Sequence, residues 1–188
     1  MTLVINLFGG SGIGKSTVAA ELYSELKRRG INAELVREYV KHWAWNNRQV
    51  GEYDQLYLLG KQSQAEAQLY GKVDMIVTDS PVLLAGVYAK FRWDGVADYV
   101  DLAAKGFVQH AINNGIVHMN FTLNRNKPFD PRGRYETEEQ SREIDGFIRD
   151  YLKDPFGYVD IPANEDPCQF ILAVFRHLPE IVKATQGG

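Results

Sequence analysis

Residues 9–17 read GGSGIGKST, directly behind the apolar run TLVINLF at 2–8 and ahead of a helical pattern. Gly9, Gly14, Lys15 and Ser16 fit the spacing GxxxxGK(S/T). On average residue usage, a chance match in a chain of this length is on the order of 1%. The placement between a strand pattern and a helix pattern is the one that phosphate binding requires. Glycines let consecutive main-chain N–H groups turn inward, and the helix N-terminus adds a partial positive charge. Gly10, Ser11, Gly12, Ile13, Gly14, Lys15, Ser16 and Thr17 are therefore the expected nucleotide-binding positions. Lys15 is expected to reach the β- and γ-phosphates, and the Ser16 hydroxyl to bind Mg²⁺.

The rest of the chain alternates strand and helix. Helix one is expected from Lys15 to Arg29, with Val18, Ala19, Leu22 and Leu26 at helical spacing and Gly30 at the end. A second strand is expected near 31–37, followed by a helix through His42 and the tryptophans. Residues 53–70 read as a helix with Asp54 as N-cap and Leu56, Leu59 and Leu69 among its apolar positions. VDMIVTDSP at 73–81 reads as strand three, with helices expected to about Phe91 and over 97–113, and strand four at 115–123. A polar loop spans 124–136, and Thr137 with Gln140 forms a capping box opening a helix to about Leu152. A short strand at 157–161 and a helix over 166–185 close the chain, with Gly187 and Gly188 expected to fray. Such alternation implies an α/β fold: a mostly parallel sheet covered by helices on both faces.

Size and charge narrow the function classes. At 188 residues and 45% hydrophobic content, one compact domain over 1–188 is expected. The net charge of −3 gives no global attraction to nucleic acid or to an anionic membrane. The lone Cys168 excludes an internal disulfide, and no run approaches the ~20 apolar residues of a membrane helix, so a cytoplasmic protein is expected. NKPF at 126–129 puts Asp130 one position too late for the NKxD of guanine-specific switches, and DSPV at 79–82 does not supply DxxG.

Three further groups carry chemistry. Asp79 ends strand three, where ligands bind in open α/β sheets, and is a candidate for the Mg²⁺ shell or for orienting an acceptor. Glu38 follows strand two and is a candidate general base, although a carboxylate at a helix start would look the same. The loop at 124–136 carries Arg125, Lys127, Arg132 and Arg134, which read either as a lid stabilising a phosphoryl transition state or as a solvated basic loop.

GGSGIGKST, VTDSP and LNRNKPFDPRGRYETEEQSREID together resemble small P-loop kinases of the nucleoside and nucleotide kinase type. The resemblance is strongest to the phage and bacterial AAA-like branch related to ribosylnicotinamide kinase, and extends to phage kinases of 5-hydroxymethyluracil in DNA. It implies a three-layer P-loop NTPase fold with strand order 2-3-1-4-5. It also implies a carboxylate after strand two that activates the acceptor, here Glu38, and lid arginines that clamp phosphates, here Arg125, Arg132 and Arg134. The DRY or ERS triplet of many deoxynucleoside and thymidylate kinases is DSP here.

The expected activity is ATP-dependent, Mg²⁺-dependent phosphoryl transfer to a nucleoside-like acceptor, free or within DNA. The alternative is a slowly ATP-hydrolysing switch acting with a partner. For the acceptor, Trp43, Trp45 and Tyr57 are candidates to stack a base and Gln55, Gln62 or Gln64 to read its edge, though burial is the commoner fate of such aromatics. Arg37, Lys41 and Arg48 could meet an acceptor phosphate. His118, within strand four, is expected to be packed.

Overall fold

The computed structural model describes residues 1–93 and 95–176. Five strands, β1 (Leu3–Phe8), β2 (Ala33–Val36), β3 (Met75–Thr78), β4 (Val117–Thr122) and β5 (Val159–Asp160), form one sheet in the order β2-β3-β1-β4-β5. Every pairing is parallel, with Leu3 opposite both Met75 and Val117. β1 is central and all six of its side chains are buried, as expected of a strand with helices on both faces.

Alternation along β1 divides the core. Leu3, Ile5 and Leu7 face α1 (Lys15–Arg28) and α7 (Pro167–Arg176), meeting Leu22 and Leu26 of the first and Cys168, Ile171 and Leu172 of the second. Phe8 faces the opposite layer, built from α3 (Gln55–Ala67), α4 (Leu83–Arg92), α5 (Ala97–Asn113) and α6 (Glu138–Leu152). Each fully buried leucine or isoleucine contributes about 1.5–3 kcal/mol, so both faces hold the sheet.

Helix ends follow local chemistry. In α6, Gln140 N–H donates to Thr137 Oγ1 at 3.2 Å and Thr137 N–H donates to Gln140 Oε1 at 3.0 Å, the expected capping box. Asp54 behaves differently from its expected role. It sits in a 3-10 turn, Glu52–Asp54, and its carboxylate accepts the Gly51 N–H at 3.0 Å rather than an amide of α3. A short helix, α2 (Lys41–Trp45), follows β2. The expected extension of the last helix over 177–185 and the terminal glycines lie outside the described residues. Among the described residues, no helix is long and apolar enough to cross a membrane.

Candidate active site

The loop between β1 and α1 wraps in a way only its glycines allow: Gly9, Gly12 and Gly14 all have positive φ, at 147°, 78° and 109°. Ile13 turns inward, 5% exposed, and anchors the loop in the core beneath α1 instead of facing the site. Lys15 arches back over the loop, donating from Nζ to Gly9 O at 2.6 Å and Gly10 O at 3.0 Å. Burial lowers the Lys15 pKa, while the nearby carboxylates of Glu38, Asp79 and Asp145 pull it back up.

The ends of β2 and β3 bring the two candidate carboxylates together. Glu38 N–H donates to Asp79 Oδ1 at 2.9 Å, and Asp79 is buried. Desolvation pushes the Glu38 carboxyl above its ordinary value, with Lys15 opposing that rise and Asp79 adding to it. A cavity of ≈ 460 Å³ runs from the loop past Glu38 into the space between α3 and α4. Ser16 and Lys41 line it, with Lys41 Nζ 3.5 Å from Ser16 Oγ.

The three loop arginines have three different fates. Arg134 lines the cavity, and its buried Nε has no partner among the described residues. Arg132 turns away, with its side chain 81% exposed and paired with Asp130 at 2.7 Å. Arg125 does not line this cavity; it is ion-paired with Asp145 of α6 at 2.6 Å behind the glycine loop. The segment itself crosses the cavity mouth. A Cβ on Gly12 would come within 2.8 Å of the Phe129 ring, and Tyr135 Oη donates to Arg48 O at 2.7 Å.

On the far wall, Gln55 and Gln62 are buried and line the cavity, and Gln62 Nε2 has no partner among the described residues. Gln64 does not line it. Trp43 and Tyr57 stack on each other, their planes 15° apart, and Arg48 lies 3.4 Å from the Trp43 centroid. Neither ring lines the cavity, nor do Trp45, Arg37 and Arg48; of the three expected basic residues, Lys41 does. Sequence reasoning missed Tyr88 and Arg92 of α4, and Glu136, which all line it; Arg92 and Glu136 are ion-paired. Leu84, Tyr88 and Arg92 recur at four-residue spacing, a stripe that could have marked this wall in advance. Burial and the carboxylates of Glu136 and Glu38 raise the Tyr88 hydroxyl well above its usual range, so it is a neutral hydrogen-bonding group.

The residues present suit a nucleoside triphosphate and a divalent ion. Ser11 Oγ and Arg134 Nε are buried without protein partners beside the loop, and Ser16 and Asp79 offer hard oxygen atoms.

The fold and the glycine loop together define a three-layer α/β P-loop protein. The chain belongs to the AAA domain family, whose model matches residues 4–166. Among curated proteins, none matches the chain. In a solved structure, deoxyadenosine kinase from M. mycoides with its products dCMP and a flexible dCDP bound is similar at a TM-score of 0.57 and 19% identity, over 96% of this chain and 100% of that one. The dATP-bound structure of that enzyme is similar at a TM-score of 0.59 and 16% identity, over 94% of this chain and 100% of that one. At these identities the likeness is one of fold.

Proposed function

We propose that this chain transfers the γ-phosphoryl group of ATP to a hydroxyl of a nucleoside-like acceptor, either free or within DNA, a hydroxymethylated base in phage DNA being one case. The observation that carries this reading is that a carboxyl with a raised pKa, Glu38, shares one cavity with the glycine loop and with a second wall of amides and aromatic groups. A pure hydrolase has no need of that second wall. The similarity in fold to a deoxyadenosine kinase supports the same direction.

In this reading the loop amides and Lys15 hold the donor's phosphates, and Ser16 with Asp79 would hold Mg²⁺. Bound ATP and Mg²⁺ supply the activated phosphoryl group. Glu38 takes the proton from the acceptor hydroxyl, a task suited to a carboxylate whose pKa is raised toward neutrality. Gln62 meets the acceptor with its unpartnered amide, and Arg134 meets negative charge on the moving group. Residues 124–136 act as a lid that excludes water while the site is closed.

The test is transfer of label from ATP to panels of nucleosides, mononucleotides and modified DNA. A labelled acceptor supports the kinase, whereas slow phosphate release with no labelled acceptor in any panel supports an ATP-hydrolysing switch. Lys15→Ala should abolish nearly all transfer while circular dichroism shows an intact fold. Undiminished turnover would refute the role given to the glycine loop.

A further inference from the structure

The lid reading treats every arginine of 124–136 as a group that can reach phosphate. Four of the five N–H groups of Arg125 are spent elsewhere. Its Nε donates to Asp145 Oδ2 at 2.6 Å, one terminal nitrogen donates to Ser11 O at 3.3 Å, and the other donates to Ser141 O at 3.1 Å and to Ser141 Oγ. All three nitrogens of the guanidinium are engaged, and the side chains of Arg125 and Asp145 are only 10% and 12% exposed.

The partners of Arg125 hold the glycine loop in turn. Asp145 Oδ1 accepts the Gly10 N–H at 2.5 Å, and Ser141 Oγ donates to Ser11 O at 2.6 Å. Helix α6 approaches so closely that a Cβ on Gly10 would lie 2.3 Å from Ser141 O. Gly10 is therefore needed for close approach, a requirement separate from phosphate binding.

The placement along the chain gives this cluster a second meaning. The segment that crosses the cavity leaves β4 through Arg125 and rejoins the fold at Thr137, the cap of α6, one turn before Ser141. Both of its ends therefore converge on Ser11. Between them, the crossing part reaches the opposite wall of the cavity through Glu136 with Arg92, while Tyr135 bonds to Arg48, which lies outside the cavity lining.

We propose that Arg125, Asp145 and Ser141 form a clamp that sets the backbone of the phosphate loop and serves as the immobile footing of the crossing segment. This rests on the nucleotide-binding reading above. Arg125 is then a positioning residue and touches no substrate. Removing the clamp should loosen the loop amides before any chemistry occurs, and the loss should appear in donor binding.

The experiment measures binding of Mg·ATP by calorimetry, steady-state kinetics with the acceptor identified by the labelling panel, and thermal melting. Arg125→Lys keeps the charge and loses the planar fork, and Asp145→Asn keeps an acceptor for Gly10 and loses the ion pair. Each should weaken Mg·ATP binding and raise the KM for ATP by roughly 10- to 100-fold, with the acceptor KM unchanged, since small misplacements of a positioned group cost about that much. The double variant should be no weaker than the worse single variant, because both remove one unit. If Arg125→Lys does not fold, Ser141→Ala, which removes the hydroxyl's bonds to Ser11 O and to Arg125 and leaves the Arg125–Asp145 pair, should still raise the KM for ATP by about fivefold.

A lower melting temperature with unchanged ATP binding and KM would make the cluster purely architectural and overturn the proposal. A loss confined to kcat, additive between the two variants, would return Arg125 to the phosphates and overturn it too. If the wild-type protein itself fails to bind Mg·ATP, the nucleotide-binding reading fails first and the clamp falls with it. Normal wild-type binding beside indifferent variants would sink the clamp alone.

Discussion

The two faces of the central strand are packed by opposite means. Toward α1 and α7 the core is dry and continuous, with Leu22 fully buried against β1 and its neighbours. Toward α3 a polar seam divides the core in two. Asn6 Nδ2 donates to Asn120 Oδ1 at 3.0 Å, Asn120 Nδ2 donates to Gly157 O at 2.9 Å, and His118 lies 3.2 Å from Asn6 and 4.0 Å from the Glu66 carboxylate. The buried side of α3 is Gln55, Leu59, Gln62 and Glu66, three polar residues to one apolar. Gln62 Nε2, Glu66 Oε2 and His118 Nε2 all lack hydrogen-bond partners among the described residues. The difference teaches that the α1 face is arranged for stability, whereas the α3 face, which continues into the cavity through Gln55 and Gln62, gives up stability for a polar wall.

The largest effect should come from the dry side. Leu22→Ala leaves a cavity at a fully buried position, and should cost about 2–5 kcal/mol in denaturant unfolding. A cost under about 1 kcal/mol would mean that the α1 face is not the rigid one.

Next comes pH dependence, which arises on the seam. Burial raises the Glu66 carboxyl from its ordinary value of 4.5 to about 7, so its stability contribution is complete below pH 4.5 and is lost as pH rises through 7. Burial lowers His118 from 6.5 to about 4, so its contribution is complete above pH 6.5 and is lost as pH falls through 4. Each slope amounts to about 3 kcal/mol across its window, and the two oppose each other where they overlap. Over pH 4.5 to 6.5 the contributions of Glu66 and His118 therefore cancel, and Glu66→Gln should expose the His118 slope, so that the variant gains stability relative to wild type as pH rises over that range. An identical pH profile in the variant would remove Glu66 from the account.

A smaller change of opposite sign is expected at Gln62. Gln62→Leu removes an orphaned amide and should raise stability by about 1–2 kcal/mol while lowering kcat/KM for the acceptor. Loss of stability together with unchanged turnover would mean that the amide is structural. Smallest of all, Tyr70→Phe deletes the hydroxyl that donates to Glu66 Oε1. It should cost about 1 kcal/mol and move the Glu66 titration upward, since that bond favours the ionised carboxyl.

How much of this could be read without coordinates varied by region. The limits of α5, 97–113, and the capping box of α6 agree with the sequence pattern, because periodicity and caps are local. The α1 stripe of Val18, Ala19, Leu22 and Leu26 is the buried stripe for the same reason. On α3 the apolar period pointed to Leu56, which is 54% exposed, whereas Gln55 and Gln62, candidates from the sequence for an acceptor's edge, are buried and line the cavity. Nothing within α3 announces that β1 and β4 will offer Asn6, Asn120 and His118 to a polar helix face.

The site divides along similar lines. The glycine loop and the carboxylates closing β2 and β3 are legible because their spacing is tied to strand ends. The three arginines are alike in composition and in loop context, yet one lines the cavity, one pairs in solvent with Asp130, and one is consumed by Asp145. Tyr88, Arg92 and Glu136 were missed because their role depends on where α4 meets the end of the crossing segment.

The sequence by itself determined the phosphate loop, the alternation of strand and helix, and the apolar face of α1, since each follows from the conformational preferences and burial of residues close together in the chain. Only the tertiary structure decided which polar groups would be buried and which arginine would stand free. An ion pair or a buried amide takes its meaning from its partner, and for Gly10 that partner is Asp145, 135 positions away.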